Sequence, residues 1–156
     1  MTLQEVLTRI QPVDQAIAAQ TQARLDRLTK PLGSLGRLEE TAVRYATITG
    51  EVKPAVPRGV VFTFAADHGV ATEGVSAYPR EVTAQMVYNY LRGSAAITVL
   101  ARQLGIELQV VDLGINHNFA LELPGLIQRK VASGTANFVH GPAMPLRHAH
   151  QAIVIG

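Results

Sequence analysis

The chain has 156 residues, 47% of them hydrophobic and 17% charged: enough apolar content for a domain with a real core, and too little charge for a disordered tail. The net charge of +2 arises from scattered Lys and Arg, of which only Arg129 and Lys130 are adjacent, and 5% aromatic content gives no stacking platform, so the pattern points to no nucleic-acid partner. The absence of cysteine excludes disulfides, thiolate metal sites and a cysteine nucleophile, and with no signal core or membrane-length apolar run the chain reads as soluble and cytoplasmic.

Thr2-x-x-Glu5 matches a capping box for a first short helix, which Pro12 interrupts. Asp14 is placed to cap a second helix, with Ile17, Thr21, Leu25 and Leu28 at helical spacing and an end near Thr29, ahead of Pro31. Residues 29–36 hold two glycines and a proline and read as a loop. A third helix carries Leu38, Ala42 and Tyr45 on one face and ends near Gly50. Residues 1–50 therefore form an N-terminal helical segment, and residues 51–59, with Pro54 and Pro57, form a linker.

From residue 60 the pattern alternates between strand and helix. Residues 60–66, VVFTFAA, form a continuous β-branched and aromatic run that suits a parallel strand buried on both faces. The run ends in Asp67-His68-Gly69, and after a glycine-spaced loop a helix places Val82, Met86 and Tyr90 one turn apart. Residues 95–104 form a second, alanine-rich helix stopped by Gly105. A second strand at 108–111 runs into Asp112-Leu113-Gly114, repeating the strand, aspartate, glycine order seen at Asp67. Residues 126–131 suit a third, more polar strand, residues 133–137 a polar strand-end loop, and residues 146–155 a last helix. The expected fold class for residues 60–156 is α/β, a Rossmann-like open parallel sheet flanked by helices, with the sheet incomplete in this chain.

In such a sheet ligands sit outside the carboxyl ends of the strands, the edge that the loop from Asp67 to Arg80 would occupy. Asp67 and Asp112 would put two carboxylates there, although an aspartate after a strand also simply starts turns. Gln85 can hydrogen-bond a heteroaromatic ring or be an ordinary exposed glutamine, and Tyr78 with Met86 can form an apolar slot or routine core. A metal reading of Asp67-His68 finds poor partners, since His148 and His150 are two apart and diverge on a helix. Ser76 lacks the G-x-S-x-G elbow of a hydrolase, and neither the dinucleotide nor the P-loop fingerprint is present.

Five long motifs then occur in one order: LDRLTKPLGSLGRLEE (25–40), FAADHGVATEGVSAYPREVTAQMV (64–87), GSAAITVLARQLG (93–105), VVDLGI (110–115), and SGTANF (133–138) with PAM (142–144). Together they resemble the nicotinate-nucleotide–dimethylbenzimidazole phosphoribosyltransferase family, which acts in assembling the lower ligand of cobalamin. The resemblance implies attack of a dimethylbenzimidazole nitrogen on the anomeric carbon of nicotinate mononucleotide, giving α-ribazole phosphate and nicotinate, with no metal or redox cofactor. It further implies that Ser76, Tyr78, Gln85 and Met86 line the benzimidazole slot and that the enzyme is a homodimer, while the strand-end pattern adds Asp67 and Asp112 as substrate-binding candidates. Ser94 departs from the family's usual second glycine at that point. The family's later glycine-rich nucleotide segment and its glutamate base have no counterpart here, so the chain is expected to be the amino-terminal half, with no catalytic base of its own. The alternative reading is a non-catalytic module that binds a heteroaromatic ligand or a partner chain.

Overall fold

In the computed structural model, which describes residues 2–156, the capping chemistry at the start of the chain forms in full. The amide of Thr2 donates to Glu5 Oε2 at 2.8 Å and the amide of Glu5 donates to Thr2 Oγ1 at 3.2 Å, which satisfies two amides at the start of helix α1 (Leu3–Arg9). Asp14 Oδ1 accepts from the amide of Ala16 at 2.8 Å and opens α2 (Gln15–Asp26). Helix α3 (Arg37–Thr49) ends on Gly50, whose φ of 74° is the left-handed geometry of a helix stop.

Residues Val6–Pro57 form one compact unit, in which α2 packs on α3. Two threonines buried in this unit lose no hydrogen bonds: Thr21 Oγ1 donates to Ile17 O and Thr47 Oγ1 to Val43 O, each at 2.7 Å. Across the loop at 29–36, Lys30 Nζ lies 2.8 Å from Glu39 Oε1, and the same oxygen accepts from the amide of Leu35 at 3.0 Å. Glu39 is buried, so this loop closes on a charged anchor where an apolar one would be usual. Leu38, expected on the packed face of α3, is 69% exposed: Glu39, one residue on, takes the inward place because Lys30 and Leu35 N satisfy it there.

Arg58–Gly156, together with residues up to Glu5, form the other unit. Its sheet has three parallel strands in the order β1 (Val60–Ala66), β2 (Glu107–Gly114), β3 (Leu126–Gln128). Pairing runs from Val60 opposite Glu107 to Ala65 opposite Asp112, then shifts so that Ala66 meets Gly114. Two helices, α4 (Glu81–Leu91) and α5 (Ala96–Gln103), link β1 to β2 and pack on the sheet. The core joins Ala84 and Val87 of α4 to Val110, Ile115 and Phe119, with Ala65, Leu108 and Leu126 against it. Strand β3 is reached without a helix, through residues 115–125; Gln128, which reads in the sequence as an edge residue, donates to Ala120 O at 2.7 Å and ties that link down. Helix α6 (Leu146–Ile155) closes the described chain.

Strand β1 departs from the sequence expectation of burial on both faces. Its residues alternate between half-buried and exposed, with Phe62 and Phe64 stacked at 6.0 Å and about half exposed. Helix α4 covers one face of the strand, and the opposite side chains lie over an open groove rimmed by Val111, Ile127, Val154 and Ile155. A run whose one polar residue is Thr63 thus occupies a strand with a single packed face.

The hydrogen bond from Lys30, followed by the amide of Leu35, holds the Glu39 carboxyl below its ordinary range against the opposing effect of burial. A depressed carboxyl contributes stability at neutral pH, and that contribution drains as pH falls from about 4.3 through the folded value. Acid unfolding followed by circular dichroism should therefore show Glu39→Gln less stable than the parent at pH 7 and equal to it at the acid end. Parallel curves at all pH values would remove Glu39 from the acid response.

Candidate functional site

The carboxyl ends of β1 and β2 are each closed by an aspartate followed two residues later by glycine. Asp67 is 6% exposed; its amide donates to Gly114 O at 3.0 Å, its carbonyl accepts from Thr135 N at 3.0 Å, and its Oδ2 accepts from Asn116 N at 2.7 Å. Asp112 is fully buried, and its Oδ1 accepts from the amides of Gly114 and Ile115 at 3.0 and 2.8 Å. Its Oδ2 has only Lys130 Nζ, at 3.5 Å, to offset a buried charge. Lys130 in turn donates to His117 O at 2.6 Å.

Gly69 and Gly114 admit a third segment, residues 132–137, onto these two ends. A Cβ on Gly69 would collide with the backbone of Ala136 and Asn137, and one on Gly114 would lie 3.0 Å from Ala132 O. Thr135 Oγ1 accepts from Gly69 N at 3.2 Å, while Asn137 Nδ2 donates to Glu73 Oε1 at 2.5 Å. The chain after Gly69 winds into a 3-10 turn (Gly69–Glu73), where sequence reasoning expects only loop.

Beside this braced edge opens a cavity of about 670 Å³. Its floor comes from Phe64, Ala65, Ala66 and Asp67 at the end of β1; its far wall comes from Val82, Met86 and Tyr90 of α4. The loop between contributes Val75, Ser76, Tyr78 and Arg80. Ser76 Oγ donates to Tyr78 O at 2.9 Å and accepts from Tyr78 N at 3.2 Å, a local turn that holds the tyrosine at the mouth, where it is 71% exposed.

Of the six candidate site residues, the structure brings Asp67, Ser76, Tyr78 and Met86 to this cavity. It does not bring Asp112, which is turned into the β2 end, or Gln85, which is exposed on α4 outside the cavity lining. Sequence reasoning missed Phe64, Tyr90 and Arg80. Tyr90 carried a signal, since it continues the one-turn spacing of Val82 and Met86; Arg80 carried none beyond its place before the helix. Among the described residues no group of three or more His, Asp or Glu side chains is gathered as a metal would require.

Residues 10–156 match the family model described as phosphoribosyltransferase. The nicotinate-nucleotide–dimethylbenzimidazole phosphoribosyltransferase of Geobacter sulfurreducens is 60% identical over 99% of this chain and 44% of its own length. That of Chlorobium chlorochromatii is 54% identical over 99% of this chain and 43% of its own. The crystal structure of the Thermus thermophilus protein of the same name superposes with a TM-score of 0.83 at 50% identity, over 90% of this chain and 42% of that one. The chain thus spans less than half the length of these relatives.

Because only backbone atoms face the missing Cβ of Gly69, no rotamer change can relieve Gly69→Ala. The substitution should cost about 1–3 kcal/mol of stability, read as a lowered urea midpoint. Gly74→Ala, where nothing lies within 4 Å but φ is 73°, should cost less; the reverse order would show that residues 132–137 can shift away from the strand ends.

Proposed function

Because the chain belongs to the phosphoribosyltransferase family that its residues 10–156 match, we propose that it forms the benzimidazole side of a site that transfers phosphoribosyl from nicotinate mononucleotide to dimethylbenzimidazole. The observation that carries this reading is the cavity at the end of β1, whose floor of Phe64, Ala65 and Ala66 and far wall of Val82, Met86 and Tyr90 suit a flat apolar ring. Ser76 and Tyr78 stand at its mouth, and Asp67 offers a polar edge at the floor. Asp112 acts on substrate only from behind, by fixing the turn at the end of β2. Gln85 meets a ligand only where that ligand extends past the rim.

In the reaction so proposed, a ring nitrogen forms a bond to the anomeric carbon as the bond from that carbon to nicotinate breaks, and the azole proton passes to a base. This chain's part is to hold the ring, exclude water from it and orient the attacking nitrogen. The family's glutamate base has no counterpart among these 156 residues. On the same reading the three-stranded sheet belongs to a larger Rossmann-like sheet, in a cytoplasmic enzyme that works as a homodimer.

Titration of dimethylbenzimidazole into the chain, followed by NMR, should show saturable binding that Met86→Ala or Tyr78→Ala weakens by about tenfold. Equal loss from Gln85→Ala and none from Met86→Ala would place the ring outside the cavity. An assay for nicotinate released from nicotinate mononucleotide should find no turnover by the chain alone. Turnover would place a base among the carboxylate and imidazole groups that line the cavity, Asp67 and His68.

A further inference from the structure

Arg80 is the permanent cation of this cavity, and among the described residues it has no counter-ion. It immediately precedes α4, is half-buried, and lines the space together with Tyr78 and Met86. One donor is used: Nη2 gives a hydrogen bond to Gly69 O at 2.8 Å, which fixes the guanidinium at the edge of the 3-10 turn. Asp67, the only acidic side chain of the lining, already accepts from Asn116 N.

A guanidinium presents five donors in a rigid fork that matches the oxygens of a carboxylate or a phosphate. Holding it half-buried beside apolar walls with one hydrogen bond leaves its charge to be balanced by whatever enters. Dimethylbenzimidazole carries no anionic group, and the cavity of about 670 Å³ is larger than its ring needs. We propose that Arg80 is an oxyanion receptor within this cavity, which takes a carboxylate or phosphate of a second ligand packed beside the ring. The inference rests on the cavity being a ligand site, as proposed above, and goes beyond the ring slot to its neighbour.

The test measures binding of four probes to the 156-residue chain: dimethylbenzimidazole, nicotinate, its neutral counterpart nicotinamide, and ribose 5-phosphate. Nicotinate or ribose 5-phosphate should bind with an affinity that falls as salt rises, and nicotinamide should bind more weakly than nicotinate. Arg80→Met, which keeps the length and loses the charge, should weaken the oxyanion by about tenfold and dimethylbenzimidazole by less than about twofold. Arg80→Lys separates the two sources, since a point charge retains phosphate better than it retains a planar carboxylate. Loss of dimethylbenzimidazole and oxyanion binding in equal measure would overturn the proposal and leave Arg80 as a clamp on Gly69. Absence of any oxyanion binding to the parent chain would overturn it too. Oxyanion binding that depends on Arg80, in a chain that does not bind dimethylbenzimidazole, would uphold the receptor and defeat the ring assignment.

Discussion

Everything at the candidate site depends on how residues 132–137 settle onto the ends of β1 and β2. That approach is possible because Gly69 and Gly114 have no side chain where Ala136, Asn137 and Ala132 pass. It is held by Thr135, whose amide donates to Asp67 O and whose Oγ1 accepts from Gly69 N, while Asn116 N donating to Asp67 Oδ2 ties the end of β1 to the chain after β2. The aspartates close strand ends from within, by taking backbone amides that the turn leaves without sheet partners. The repeated strand, aspartate, glycine order is therefore first a packing device. Chemistry is left to the residues that this device positions around it.

The helix caps were fully legible in the sequence, because Thr2, Glu5 and Asp14 act on amides within three residues of themselves and need no tertiary partner. The extent of β1 and the start of α6 were legible for a similar reason: Gly59 and Asp67 bound the strand, and Pro145 precedes the helix. What failed was long-range. The open side of β1 could not be read from VVFTFAA, because the run is nearly as apolar on one face as on the other and only the packing of α4 decides which is covered. The inward turn of Glu39 was hidden likewise, since a helix-period reading assigns that place to an apolar neighbour and cannot foresee Lys30 reaching it from across the preceding loop.

At the candidate site the same division holds. Ser76 and Tyr78 sit in one short turn, so their neighbourhood in sequence becomes a neighbourhood in space. Arg80 gave no sign, because its significance lies in how few partners it has, which only three dimensions reveal. Gln85 is the opposite case, a motif residue that lies outside the cavity lining. It adjoins Met86 in the motif, and the motif treats the pair as one feature.

Helix geometry separates them. Successive residues on α4 rotate by about 100°, so Ala84 and Val87 can share the core face while Val82, Met86 and Tyr90 follow a second stripe along the cavity. Gln85 then lies about 200° around the axis from Val87, on the side that faces away from the sheet. The same short helix thus closes the core, builds one wall of the cavity and presents Gln85 to whatever lies outside it. A ligand confined to the cavity touches the second of these surfaces alone. A ligand or chain that also engages Gln85 has to bridge the rim, which makes the outer face of α4 a boundary between what this unit binds by itself and what it meets from beyond.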